Sequence, residues 1–383
     1  LMDHLGHEEE ALELAARWAG TTSAPSDGTF ILPWCRMLSR QDGKAAALDI
    51  LREWLSSAPP TTPAHLTIRA KYDLARLEDS LGQPERAWED LRSAHRLYQR
   101  ILPKHYHPRR LTNDLRAVTE GIRKGRITAH SSFESGSEEP RVVLLAGFPR
   151  SGTTLMQRLL VEGIPGLQVN DERDCMGVAR LGPPTPPVGG SEVDPFRQLG
   201  RMYLELVQDT LGCPNGNLLL DKNPGYVHLI PTYARALPDF RVIWPLRDPR
   251  DVLLSCLFVY VPPNPTTPAF LEATALAALI KASYECWHAM RDHLTVPWME
   301  CKYEDLVQDP SGEPAKLIEF VTAGSARGTS SNGGTRPWSA LSPTYAEARR
   351  PVHDRSIGRW ITYESSLKDA LRMLTPLAKS LGY

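Results

Sequence analysis

The chain has 383 residues, with 44 Lys and Arg against 45 Asp and Glu and a formal net charge of −1. It is too long for one ordinary core and long enough for two domains. There is no bulk basic field, so nucleic acid is excluded as a partner and any basic site must be local.

No apolar run reaches the roughly 18 residues a spanning helix needs, so no membrane association is expected. No secretory signal opens the chain. It begins at Leu1 in mid-pattern, so a longer native N-terminus is expected. Six scattered cysteines, without C-x-x-C or a His pair at zinc spacing, read as reduced thiols of a cytoplasmic protein and not as a metal site.

Residues 1–128 carry apolar residues at helical spacing and few strand-like runs. Small residues recur after glycines. Gly43 precedes Ala47 and Leu48, and Gly82 precedes Ala87 and Ala94. This irregular repetition resembles tetratricopeptide repeats, in which helix pairs stack and bury one another. The alternative is an unrelated helical bundle. Residues 129–140 are polar and read as a linker.

From 141 to 383, strand-like and helix-like patterns alternate. Strands are expected at 142–146, 218–220, 241–246 and 297–302. Helices are expected at 153–161, 226–237, 249–259, 269–293 and 314–321. Such alternation predicts an α/β domain whose parallel sheet is covered on both faces. Ligands then bind at the carboxyl ends of the strands. The Gly- and Ser-rich run at 324–335 reads as a loop by composition.

The segment Arg141 to Leu155 runs strand, glycine-bounded loop, helix start. That order builds an anion cradle from loop N–H groups and the positive end of a helix. The spacing Gly147-x-x-x-x-Gly152-x-Thr154 is that of a Walker A loop, but Thr153 stands where its Lys would be. Without that Lys, nothing obvious reaches the outer phosphates of a nucleoside triphosphate. The loop carries Arg150 as its own cation, with hydroxyls on Ser151, Thr153 and Thr154.

Three further clusters fall near strand ends. Arg247 follows a strand, and Ser255 lies two helical turns on; both suit a phosphate beside the first loop. Arg250 and Asp251 read as a surface cap and an adjacent charge pair. Lys222 follows another strand, where a donor can stabilise charge on a transferring group. In Asn170–Asp174 a carboxylate could take a proton from a hydroxyl. His228 is a rival base.

These motifs resemble the sulfotransferases that use 3′-phosphoadenosine 5′-phosphosulfate (PAPS). The run 149–155 matches the family's 5′-phosphosulfate loop, and Arg247 with Ser255 matches its 3′-phosphate motif. The resemblance continues through Lys302–Pro310 and Arg350–Trp360 to the closing Leu-Gly-Tyr383. It is strongest to the tyrosylprotein sulfotransferase branch and its bacterial relatives fused to tetratricopeptide repeats. It implies a P-loop-like, three-layer fold and a product, 3′-phosphoadenosine 5′-phosphate, with no metal. It also implies Glu172 as the catalytic base, Lys222 bridging the sulfuryl oxygens and the leaving phosphate, and Tyr303 against the nucleotide. Arg350 or Arg355 would add to the 3′-phosphate site, and Ser342 would be the transition-state serine.

The acceptor expected is a hydroxyl on a peptide, a carrier-bound group, a metabolite, a sugar or a lipid. The helical region is expected to bind that acceptor or a partner. Two other readings stay open: a P-loop kinase of a small molecule, and a non-catalytic repeat scaffold.

Overall fold

A computed structural model gives the fold and describes residues 8–19, 28–41, 43–128, 142–181, 194–212, 218–322 and 353–383. The expected linker at 129–140 and the loop at 324–335 lie outside these residues.

Five strands form one sheet: β1 (Val142–Leu145), β2 (Gln168–Asp171), β3 (Leu219–Lys222), β4 (Phe240–Leu246) and β5 (Trp298–Lys302). Their order is β2-β3-β1-β4-β5, and every pairing is parallel. The run Val142-Val-Leu-Leu145 is buried on both faces, as a central parallel strand requires. β2 was not evident in the sequence. It has one aliphatic residue, Val169, and takes its place by pairing with β3.

Side chains alternate across the sheet, so two cores form. On one face Val143, Leu145, Leu220 and Ile243 pack with Met156, Leu160, Leu306 and Leu317 from helices Thr153–Gly163, Tyr303–Gln308 and Gly312–Thr322. On the other, Trp244 stacks on Trp287 of the Ala273–Arg291 helix, with ring centroids 4.9 Å apart. Phe240 stacks on Tyr233 of the Ile230–Ala236 helix. This is the expected α/β architecture, with helices on both faces of a parallel sheet.

The chain divides into two compact units. The second comprises 111–252, 279–358 and 376–383 and contains the sheet. The first comprises 1–110, 253–278 and 359–375. Its Ala64–Ser80 and Pro84–Ile101 helices meet across a turn in which Gly82 has φ 73°. Left-handed backbone there favours glycine. Ala70, Ala75, Ala87 and Ala94 are fully buried, and their small size lets helices pack closely.

The two later segments are integral to that first unit. His95 Nε2 lies 3.1 Å from the Leu257 carbonyl, and the Tyr98 hydroxyl donates to the Val261 carbonyl at 2.6 Å. Asp79 accepts from the Tyr363 hydroxyl at 2.5 Å and pairs with Arg359 at 2.7 Å.

Candidate active site

The strand order sets out the site. At the carboxyl edge of the sheet, the ends of β2, β3, β1, β4 and β5 and the residues just after them bring Glu172, Lys222, the glycine loop, Arg247 and Tyr303 in that sequence across it. β3 and β1 are neighbours, and the connections that follow them leave towards opposite edges of the sheet, the place where open α/β sheets leave a crevice for ligands.

The loop after β1 is braced from within. The Ser151 hydroxyl, fully buried, donates to the Phe148 carbonyl at 2.7 Å. Its proton therefore serves the loop's own shape. Gly147 and Gly152 have φ 85° and 98°, and a Cβ on Gly152 would stand 2.7 Å from the Tyr303 ring. Gly152 caps the Thr153–Gly163 helix without a side-chain hydrogen bond. A helix start left so is suited to an anion. Thr153 is buried in the first turn and Thr154 is half-buried.

Arg150 has φ 72° and Glu172 has φ 57°; among the described residues these are the two non-glycine residues at positive φ. Left-handed backbone costs an L residue roughly 1–2 kcal/mol, and such strain concentrates at functional sites.

Beyond β4, Arg247 spreads its guanidinium between two carbonyls. Nη1 donates to Arg150 at 2.8 Å and Nη2 to Ser356 at 2.7 Å. Its plane lies 4.7 Å from the Tyr303 ring centroid, and Nε is buried without a hydrogen-bond partner. The segment carrying the exposed Arg355 is pinned again where the Gly358 N–H donates to Asp251 at 2.7 Å. Arg250 grips Asp248 in two-pronged fashion at 2.7–3.1 Å, and Asp251 caps the Gly358 amide; the expected cap is present, but Asp251 is buried rather than on the surface. Ser255 is buried on the Pro249–Leu257 helix and belongs to the first unit.

Lys222 ends β3 fully buried, with Nζ 2.8 Å from Asp171 Oδ1 and 2.7 Å from Glu172 Oε1. A buried ammonium is tolerated because two carboxylates compensate its lost hydration. Asp171 is the register partner of Lys222. Glu172 is the outer partner, its side chain 35% exposed and its N–H donating to the Lys222 carbonyl at 2.9 Å.

The register also pairs Asn170 with Asp221, on the opposite face. Asp221 is completely buried and accepts from Tyr203 at 2.7 Å, Tyr233 at 2.8 Å, Asn170 at 3.0 Å and Asn223. Burial pushes its carboxyl pKa up, while those four donors favour the ionised form. A protonated acid could not accept on all four sites, so the geometry is that of a carboxylate. His228 is half-buried in the Tyr226–Leu229 3₁₀ turn, and burial pushes its pKa down.

The structure thus brings together Arg150, Ser151, Gly152, Thr153, Arg247 and Tyr303 at one end of the edge, and Glu172 with Lys222 at the other. Ser342 and Arg350 lie outside the described residues. Asp171 reads from sequence as a possible base and Asp221 as a turn partner of Lys222; the role of Asp171 as inner partner of Lys222, and of Asp221 as the buried acceptor behind it, was missed. Their one signal is the pairing of Asn170-Asp171 with Asp221-Lys222, visible only once β2 is known to be a strand.

Among the described residues, no helix is long and apolar enough to cross a membrane, and no group of three or more His, Cys, Asp or Glu is placed to hold a metal ion.

Residues 192–323 match the family model described as "Sulfotransferase family". They hold β3, β4 and β5. Among solved structures, the chain is similar to the sulfotransferase domain of the Synechococcus PCC 7002 olefin synthase, at 17% identity and a TM-score of 0.42, covering 66% of this chain and 98% of that one. It is also similar to sulfotransferase STF1 from Mycobacterium tuberculosis, at 14% identity and a TM-score of 0.33, covering 89% and 97%. STF9 from Mycobacterium avium follows at 12% identity and 0.32, covering 87% and 95%. No curated protein matches the chain.

Proposed function

We propose that this chain is a sulfotransferase that moves a sulfuryl group from PAPS to a hydroxyl acceptor. The observation that carries the reading is the buried Lys222 ammonium, held against Glu172 at 2.7 Å on the strand next to the glycine loop. A cation and a base side by side at an anion cradle suit transfer to a hydroxyl.

The residues present fit the donor. The Gly152 helix start is without a side-chain cap, a Cβ at Gly152 would crowd Tyr303, and Arg247 Nε is buried and unpartnered. When bound, the donor supplies the sulfuryl group, with 3′-phosphoadenosine 5′-phosphate as leaving group.

The chain's own residues would then act as follows. Arg150 and the loop amides hold the 5′ end, and Arg247 with Arg355 holds the 3′-phosphate. Lys222 has three N–H bonds, two of them directed at carboxylates, so the third can reach an oxygen whose charge grows. Glu172 takes the acceptor's proton on the carboxylate face open to solvent. Such in-line transfer is mainly positioning and charge stabilisation.

A phenolic acceptor on a peptide or carrier is part of this proposal, as is a partner for the helical region. Incubation with PAPS and a panel of phenols and alcohols tests it. Sulfated product is expected, lost in Lys222→Ala. Phosphoryl transfer from ATP with Mg²⁺, and none from PAPS, would overturn it in favour of a kinase.

A further inference from the structure

Glu172 sits in left-handed backbone with no glycine's freedom, so something must hold it there. The next carbonyl along, that of Arg173, is held by two side-chain amides. Asn170 Nδ2 donates to it at 3.0 Å, and Asn223 Nδ2 does so at 3.4 Å. Each of those Nδ2 groups has a second N–H, and both second N–H bonds go to Asp221 Oδ1. Because a carboxylate and a carbonyl can only accept, both amides are fixed with nitrogen inward. The other carboxylate oxygen, Oδ2, is filled by the hydroxyls of Tyr203 and Tyr233. Asn170 precedes the Asp171-Glu172 pair, and Asn223 follows Lys222. The clamp thus ties the turn that carries the base to the strand end that carries the ammonium.

We propose that Asn170 and Asn223, oriented by the buried Asp221 carboxylate, are positioning residues that hold Glu172 in its strained conformation on Lys222. The inference rests on the reading of Glu172 as the base. The clamp itself does not depend on that reading, so the two can fail separately.

Asn170→Ala and Asn223→Ala each remove one arm. Tyr203→Phe is the control: it removes a donor from the far oxygen of Asp221 and leaves both arms in place. Hydrogen exchange of the Glu172 amide, which donates to the Lys222 carbonyl, reads the clamp directly. It is expected to quicken at least tenfold in both alanine variants and to change less than threefold in Tyr203→Phe. With PAPS and an acceptor, kcat should fall tenfold or more in the alanine variants, while the Kd for 3′-phosphoadenosine 5′-phosphate stays within twofold. Equal effects in the alanine variants and in Tyr203→Phe, or unchanged exchange in all three, would overturn the clamp. Quickened exchange in the two alanine variants, with a wild-type chain that transfers no sulfuryl group, would uphold the clamp and overturn the reading of Glu172 as base.

Discussion

Two cationic and acidic side chains at the edge of the sheet, Arg150 and Glu172, are held in backbone that L residues avoid, and each is tied down by a neighbour. The Arg150 carbonyl accepts from Arg247, and Glu172 is hydrogen-bonded and ion-paired to Lys222. Replacing the proposed base is expected to lower kcat by about 10²–10⁴. Glu172→Gln should show this in steady-state kinetics with PAPS, with the Kd for 3′-phosphoadenosine 5′-phosphate nearly unchanged. An equal loss of nucleotide affinity would place Glu172 in the donor site instead.

Arg150, Lys222 and Arg247 were legible because each follows an apolar run at a point where strands end. Asp171 and Asp221 were not, since their meaning depends on which strand lies beside which. An acidic residue next to a Lys in sequence looks like a solvated turn until the register puts it under a buried ammonium.

Gly152→Ala forces a side chain into φ 98° and against Tyr303. The backbone alone is expected to cost roughly 1–2 kcal/mol, with a further loss as the ring is pushed from Arg247. Calorimetry and nucleotide titration should both register it, and a variant with unchanged nucleotide affinity would contradict the packing described.

In the Pro84–Ile101 helix, burial lowers the His95 pKa from the usual 6.5 to about 4, only partly opposed by its contact with the Leu257 carbonyl. The unfolded chain then binds a proton below pH 6.5 that the folded chain refuses until about pH 4. Stability should therefore be unaffected by this group above pH 6.5, and should fall by about 3 kcal/mol between pH 6.5 and 4. A pH series of denaturant melts, repeated on His95→Gln, isolates the effect; the variant's curve should be flatter in that window.

Long, periodic helices and the apolar strands β1 and β4 were readable from pattern. β2 was not, because Gln168-Val-Asn-Asp171 lacks a hydrophobic run and owes its conformation to pairing. The expected helix at 226–237 begins as a 3₁₀ turn and becomes α-helical from Ile230, with Pro231 in the first turn.

The whole molecule is not partitioned as two consecutive blocks of chain. The helical unit recruits 253–278 and 359–375, so Phe258, Tyr260 and Tyr363 share ring contacts with one another or with Tyr72, Trp88 and Tyr98. Composition marked the change from helical to alternating pattern near residue 130. It could not show that two later segments return, since aromatic residues suit either core. A fragment of residues 141–383 would leave these recruited segments without their partners. It is expected to aggregate or to melt well below the full chain, as light scattering and calorimetry would reveal. A soluble fragment as stable as the full chain would contradict the assignment of those segments.

On the proposed function, the glycine loop and Arg247 would form a site for a 3′-phosphorylated adenosine nucleotide. The most direct test is thermal stabilisation of the full chain by 3′-phosphoadenosine 5′-phosphate against ATP with Mg²⁺, at matched concentrations. Ligand at 100 times its Kd should add about 2.7 kcal/mol. A clear shift is expected with the 3′-phosphorylated nucleotide alone, lost in Arg247→Ala. A shift with ATP and Mg²⁺ alone, or with neither nucleotide, would contradict it.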